Sequence, residues 1–149
     1  MRVISSEANW TGLAEINLLD ENHQKIVRFE DESSVLSNKI CVYDKDDNQL
    51  FFLDEDLSYD YASFNIQQGG KVIATVKRAD SMVHSGIEID SKVGKFEYAT
   101  LSGVLQRDGQ KAAKIIKRTQ YNELRIEIYT DEEIECVATM MFVIQILLK

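Results

Sequence analysis

Residues 135–149 read ECVATMMFVIQILLK, and this stretch decides the fold. Between Cys136 and Leu148 only Thr139 and Gln145 interrupt the apolar run. On a helix these apolar side chains would fall on every side rather than on one stripe, which is typical of an enclosed helix or of a membrane span. The run is shorter than the roughly 20 residues that a bilayer requires. We therefore expect a buried helix that is surrounded by the rest of the chain.

A helix start signal lies just upstream of the apolar run. Thr130 and Glu133 have the spacing of a capping box, and acidic residues fill the first turn. These signals predict a helix from Asp131 to Lys149, about 28 Å long at 1.5 Å per residue. Two alternatives stay open at this point. One is a membrane tail anchor, and the other is a pair of long strands, which the β-branched residues of the run would favour.

The remainder of the chain alternates between apolar and polar residues with a period of two. The clearest examples are AEINLL (14–19), VIATVKR (72–78) and NELRIEIY (122–129). This alternation predicts strands that are buried on one face. Clusters of turn-forming residues separate the strands, and the sequence contains no proline. The main turn signals are DENHQ (20–24), DKDDN (44–48), QGG (68–70) and RDG (107–109).

An internal repeat organises these strands into hairpins. FNIQQGGKVIATVKR (64–78) aligns with GVLQRDGQKAAKIIKR (103–118) at an offset of 39 residues, which matches Arg78 with Lys117. The stretches 16–29 and 40–52 share the form strand, polar turn, strand. With further strands near 3–10, 83–90 and 95–101, the total is about twelve. We expect a mainly β fold, a closed antiparallel barrel that encloses the C-terminal helix, because closure removes exposed strand edges.

Composition is compatible with such a barrel. The 149 residues are 44% hydrophobic and 28% charged, which is typical of a globular protein, and we interpret 1–149 as one domain. Cys41 and Cys136 both lie in apolar runs, so we expect buried free thiols in a reducing compartment. The first ten residues, MRVISSEANW, lack the apolar core of a signal peptide. We therefore expect a cytoplasmic location.

Charge is distributed unevenly and limits the classes of partner. Residues 1–60 carry a net charge of −9 and residues 61–149 a net charge of +1. An acidic chain without a basic cluster is a poor candidate for a nucleic-acid binder, so we expect no nucleic-acid partner. The acidic half would be repelled by anionic membranes. Any site for phosphate or lipid should therefore lie in the second half.

The hairpins and the C-terminal segment resemble the LURP-one-related family of the tubby C-terminal-like superfamily, whose relatives include the phospholipid scramblases. The resemblance rests on ICVYDKDDNQLFF (40–52), FNIQQGGKVIATVKR (64–78) and KIIKRTQYNELRIEIYTDEEIECVATMMFVIQILL (114–148). It implies a twelve-stranded barrel around a central hydrophobic helix, over roughly residues 12–148. The family's helix often carries an Asp near its end, where this chain has Gln145.

The sequence has no pattern that predicts catalysis. Phosphate-binding glycine loops, the metalloprotease HExxH and the hydrolase GxSxG are all missing, and neither His23 nor His84 has a second ligand at useful spacing. We expect a protein that is not an enzyme and has no cofactor or metal. Asp44, Asp46, Asn48 and Glu55 do fall at positions 1, 3, 5 and 12 of a calcium loop, but Gln49 stands where such a loop requires glycine. A hairpin turn is the alternative.

Basic residues at matching strand ends are the candidate binding site. Lys77, Arg78, Lys117 and Arg118 end equivalent strands of the two repeated hairpins. The resemblance implies an anion site, because tubby-like proteins bind phosphoinositide headgroups through a basic patch on the barrel. We expect a non-catalytic barrel that binds a phospholipid headgroup or similar anion, peripheral at the membrane. The alternative is a protein-interaction scaffold that uses the acidic N-terminal half.

Overall fold

The computed structural model describes residues 1–32, 38–56, 62–80, 85–117 and 120–148. Within these ranges twelve strands form one antiparallel sheet, and a single α-helix follows them. The strands are β1 (Arg2–Ser5), β2 (Glu15–Leu19), β3 (Lys25–Asp31), β4 (Lys39–Asp44), β5 (Gln49–Glu55), β6 (Ser63–Gln68), β7 (Lys71–Asp80), β8 (Ser85–Ser91), β9 (Phe96–Ala99), β10 (Val104–Arg107), β11 (Gln110–Ile115) and β12 (Arg125–Ile128). The helix is α1 (Ile134–Leu147), and a 3-10 turn spans Trp10–Gly12.

The sheet curls into a nearly closed barrel. Its order is β8-β7-β6-β5-β4-β3-β2-β1-β12-β11-β10-β9, so the first and last strands pair with each other. This β1–β12 ladder runs from Arg2 opposite Ile128 to Ser5 opposite Arg125. The two ends of the order, β8 and β9, lie against each other. The mainly β barrel with a C-terminal helix is confirmed.

The four hairpins repeat in structure as they do in sequence. Each first strand has a bulge close to its end, and the bulges after Ile66 and Leu105 are again 39 residues apart. Two hairpins turn through residue pairs with positive φ, at Gly69–Gly70 and at Asp108–Gly109. That conformation suits the twist of a two-residue β-hairpin, and glycine adopts it at little cost.

The helix α1 fills the barrel. Nine of its residues are buried, from Val137 to Leu147, and they meet the inward side chains of several strands. Phe142 stacks on Phe29 of β3, with ring centroids 3.8 Å apart and 10° between the ring planes. The expectation of an enclosed helix is confirmed, and the interpretation of this segment as two strands is wrong. No helix in the described ranges has the length and apolar character needed to cross a membrane.

The helix begins three residues later than expected, and the proposed capping box is wrong. The residue at the N-cap is Glu133, which has a left-handed backbone (φ 51°) and makes no side-chain cap hydrogen bond. Its carboxylate forms an ion pair with Arg107 and so does not reach back to Thr130. The Thr130 hydroxyl instead accepts a hydrogen bond from the Glu132 N–H at 3.1 Å. The acidic residues therefore form a bend before the helix rather than its first turn.

The cysteines are both free thiols. Cys41 is buried on β4, whereas Cys136 near the start of α1 is only partly buried. Burial raises the pKa of each thiol. The prediction of free thiols is confirmed, and full burial holds for Cys41 alone.

Candidate anion-binding site

A polar cavity of about 410 Å³ lies beside the last turn of α1. Its walls come from β7, β9, the segment after β11, and the helix itself. Most of the polar side chains that line it carry hydrogen-bond donors: Arg78, Tyr98, Thr100, Lys117, Asn122 and Gln145. We refer to it below as the polar cavity.

Arg78 reaches the polar cavity because of strand alternation. Even-numbered residues of β7, including the buried Val76, face the interior, and Arg78 is the next residue on that face. Its Nη1 donates a hydrogen bond of 3.4 Å to the main-chain carbonyl of Leu147 at the end of α1. A cation at this position is stabilised by the partial negative charge of the helix C-terminus. The guanidinium is thus held at the cavity by the fold.

Lys117 enters from the opposite wall. Its Nζ donates to the carbonyl oxygens of Thr100, at 2.8 Å, and Leu101, at 3.1 Å. An ammonium group has three donors, and both of these partners are neutral. The turn that supplies them comes close because Gly103 has no side chain. A Cβ there would lie 3.2 Å from Lys117 Cε.

Tyr98 and Gln145 form a neutral pair in the same cavity. The Gln145 side-chain amide donates a hydrogen bond of 3.2 Å to the Tyr98 hydroxyl. Burial raises the pKa of Tyr98, although the hydrogen bond from Gln145 partly opposes this. The phenol therefore stays protonated at neutral pH and can donate its own O–H to a ligand. An amide at position 145 also adds no negative charge to this wall.

The charge balance of the polar cavity favours an anion only modestly. Among the described residues that line it, Glu123 is the one carboxylate, against two cations. The carbonyl end of α1 adds a partial negative charge of about half an electron. The cavity thus keeps a small positive charge together with several directed donors, which suits one compact anion rather than an extended polyanion.

The four residues named from the sequence do not form one patch. Arg78 and Lys117 line the polar cavity, whereas Lys77 lies on the other face of β7 and pairs with Glu88 at 3.4 Å. Arg118 falls outside the described residues. Neighbouring side chains on a strand point to opposite faces, so the dipeptide Lys77–Arg78 cannot present both charges to one ligand. The repeat, not the dipeptide, identified the two residues that meet.

The calcium alternative does not survive the geometry. The Asp44 Oδ1 accepts hydrogen bonds of 2.9 Å from the N–H groups of Asp46 and Asn48 and so organises a hairpin turn. These bonds lower the pKa of Asp44, that from Asn48 most. Glu55 lies at the far end of β5, about 20 Å from this turn at roughly 3.3 Å per residue. The four side chains cannot share one ion.

The histidines do not form a site in the described part of the chain. His23 occupies a left-handed position (φ 59°) in the turn between β2 and β3, and His84 lies outside the described residues. Across the described ranges, no group of three or more His, Cys, Asp or Glu side chains could hold a metal ion.

Sequence reasoning missed most of the polar cavity. Tyr98 and Asn122 carried no signal, because nothing in the local sequence separates a cavity-lining tyrosine or turn asparagine from any other. Trp10 also lines the cavity, and its place depends on the loop before β2. That loop is tied down by hydrogen bonds of 3.1 Å from the Asn9 N–H to the carbonyls of Tyr121 and Asn122. Such contacts link residues more than 100 positions apart.

Comparison with known proteins supports the fold and stops there. No protein-family model matches the sequence, and no curated protein matches it significantly. The structure is similar to the X-ray structure of a protein from Arabidopsis thaliana, with a TM-score of 0.64 and 13% sequence identity. The match covers 97% of this chain and 90% of the Arabidopsis chain. At this level of identity, the likeness shows a shared barrel fold.

Proposed function

We propose that this protein is a non-catalytic barrel of the LURP-one-related type, within the tubby C-terminal-like superfamily. Its function is to bind a phosphate-bearing headgroup, or a similar compact anion, in the polar cavity. The observation that carries the proposal is the meeting of Arg78 and Lys117. They are equivalent residues of two repeated hairpins, 39 positions apart, and both line one cavity beside the end of α1.

The chemistry of the polar cavity supports an anionic ligand. A guanidinium gives planar paired donors, and an ammonium gives a compact point charge, and both bind phosphate oxygens well. The Tyr98–Gln145 pair and Asn122 add neutral donors. Hydrogen bonds to charged groups contribute about 1.5–3 kcal/mol each. Two such contacts are enough for specific binding of a small headgroup.

The net charge of the whole chain makes this a local interaction. At −8, the protein is not drawn to anionic membranes by its overall field. Binding must then depend on contacts within the polar cavity, so a soluble headgroup should bind without a membrane. We propose that the protein acts peripherally at the cytoplasmic surface of a membrane, where such headgroups are displayed.

The test is a titration of the full chain with inositol 1,4,5-trisphosphate, followed by calorimetry and by the shift in melting temperature. The double variant Arg78→Gln/Lys117→Gln should weaken binding by about tenfold or more, since it removes two charged donors. Lys77→Gln is the matched control, because it removes one positive charge from the adjacent residue on the outer face. Lys77→Gln should bind like the parent.

Two results would contradict the proposal. Equal binding by the double variant and the parent would remove the polar cavity as the site. Absence of binding by the parent, to the soluble headgroup and to vesicles containing phosphoinositides, would remove the function. The protein-interaction scaffold would then be the better hypothesis.

A further inference from the structure

A second cavity, this one apolar, lies on the other side of Trp10. It measures about 260 Å³, and its walls are mainly aromatic and aliphatic. We refer to it as the apolar cavity. Trp10 lines the apolar cavity and the polar cavity alike, so one indole ring is part of both walls.

The apolar cavity has a rigid floor and an open mouth. The rings of Phe29 and Phe142 stack at 3.8 Å, and Trp10 lies against Phe142 with centroids 5.7 Å apart. These three side chains are buried, whereas Thr11 and Ala14 on the same lining are exposed. A ligand therefore has a route from solvent to a prearranged apolar surface.

The helix presents adjacent faces to the two cavities. Phe142 and Ile146, one turn apart on α1, line the apolar cavity, and Gln145 and Leu148 line the polar one. Both cavities thus flank the C-terminal half of the helix, and Trp10 stands at their common boundary. A molecule with one charged end and one apolar end would match this arrangement.

The charges separate the roles of the two cavities. Arg78 and Lys117 line only the polar cavity, and Asp31 lines the apolar one. An anionic head is therefore favoured beside the cations and disfavoured beside Asp31. This sets the direction in which an amphiphile would lie.

The volume of the apolar cavity limits the tail to one chain. An apolar cavity of about 150 Å³ holds the six carbons of benzene, so 260 Å³ holds about ten carbons. That is enough for much of one hydrocarbon chain and too little for two. A diacyl phospholipid does not fit as a whole.

We propose that the two cavities together bind one single-chain anionic amphiphile, with its phosphate head beside Arg78 and Lys117 and its hydrocarbon chain in the apolar cavity. This inference rests on the proposed anion site, and it adds the apolar half of the ligand. Each methylene removed from water raises affinity about fourfold. A chain that fills even part of the apolar cavity therefore adds more than tenfold.

The experiment compares methyl phosphate with octyl phosphate below its micelle concentration, on the full chain. The two probes have the same head and differ only in the chain. Trp10 is the single tryptophan of the sequence and lines both cavities, so its fluorescence reports ligand directly. We expect octyl phosphate to bind at least about tenfold more tightly than methyl phosphate.

Variants locate the chain. Ala14→Phe places a ring at the exposed mouth of the apolar cavity and should remove the advantage of octyl phosphate. Ala99→Phe makes the same change at an exposed position of β9 that lines neither cavity, and should keep the advantage. Arg78→Gln should weaken both probes, because it acts on the shared head.

The outcomes distinguish the two proposals. If both probes bind with equal affinity and Arg78→Gln weakens both, the anion site stands and the amphiphile inference is overturned. An advantage of octyl phosphate that survives Ala14→Phe also overturns it, because the chain then lies elsewhere. If neither probe binds and inositol trisphosphate does not bind either, both proposals fall.

Discussion

Phe142 of α1 stacks on Phe29 of β3 with 3.8 Å between ring centroids, and this contact joins the helix to the barrel wall. Both rings are buried, and both line the apolar cavity. The contact therefore serves stability and also shapes the candidate ligand site. Its removal should be felt in both.

Phe142→Ala should lower the free energy of unfolding by about 3–5 kcal/mol, because it removes a buried ring and leaves a void. Urea denaturation, followed by the fluorescence of Trp10, measures the change. The matched control is Phe52→Ala, which removes a partly buried ring from the outer face of β5. A smaller cost at Phe142 than at Phe52 would mean that the helix is not the centre of the core.

Met141→Asp tests the enclosure of the helix. The Met141 side chain is fully buried, so an aspartate there would be an unpaired charge without water. We expect a loss of about 5 kcal/mol or more, enough to abolish cooperative unfolding in a domain of ordinary stability. Met141→Leu preserves volume and should cost less than about 1.5 kcal/mol. Circular dichroism during heating distinguishes them, and a stable Met141→Asp protein would place this helix outside the barrel.

Gly103→Ala tests the turn that receives Lys117. Gly103 has φ +73°, and an added Cβ would lie 2.4 Å from Ile115 Cγ2. Gly70 has φ +80° in another turn, but a Cβ there would meet nothing within 4 Å. Gly70→Ala should therefore show backbone strain alone, about 1 kcal/mol, and Gly103→Ala about 3 kcal/mol in total. Chemical denaturation of both variants measures the difference, and equal costs would show that the contact with Ile115 is easily relieved.

Tyr129 should make stability depend on alkaline pH. Its hydroxyl donates a hydrogen bond to the Glu127 carboxylate, which, with lesser contributions from burial and from the Glu127 charge, raises the pKa of Tyr129 to about 12. In the unfolded chain a tyrosine titrates near pH 10. The folded state therefore holds this proton more tightly. The contribution to stability is complete below about pH 10 and is lost as pH rises through 12.

Urea denaturation of Tyr129→Phe and the parent at pH 9 and pH 11 checks this prediction. The parent should lose more stability than the variant between the two pH values. The same substitution at Tyr121, an exposed tyrosine, is the matched control. Parallel losses in the parent and in Tyr129→Phe would show that the hydrogen bond to Glu127 does not persist in solution.

The repeat of 39 residues shows how far the sequence could go toward the site. It identified Arg78 and Lys117 as equivalent, and the structure places both at one cavity. It also suggested Lys77 and Arg118 as partners, since charge in a sequence carries no information about which face of a strand it occupies. Lys77 turned out to pair with Glu88 on the outer face. Charge pattern thus found the strands, and alternation decided which charges meet.

The sequence by itself determined the local elements of this protein. Period-two alternation, turn residues at 68–70 and 107–109, and an apolar run from Cys136 to Leu148 are short-range properties, and they sufficed for hairpins, strand number and an enclosed helix. Only the tertiary structure decided the β1–β12 pairing and the placement of Trp10 between two cavities. The physical reason is distance along the chain. Contacts between residues more than 100 positions apart depend on how the whole barrel curls around its helix, and no local pattern encodes that.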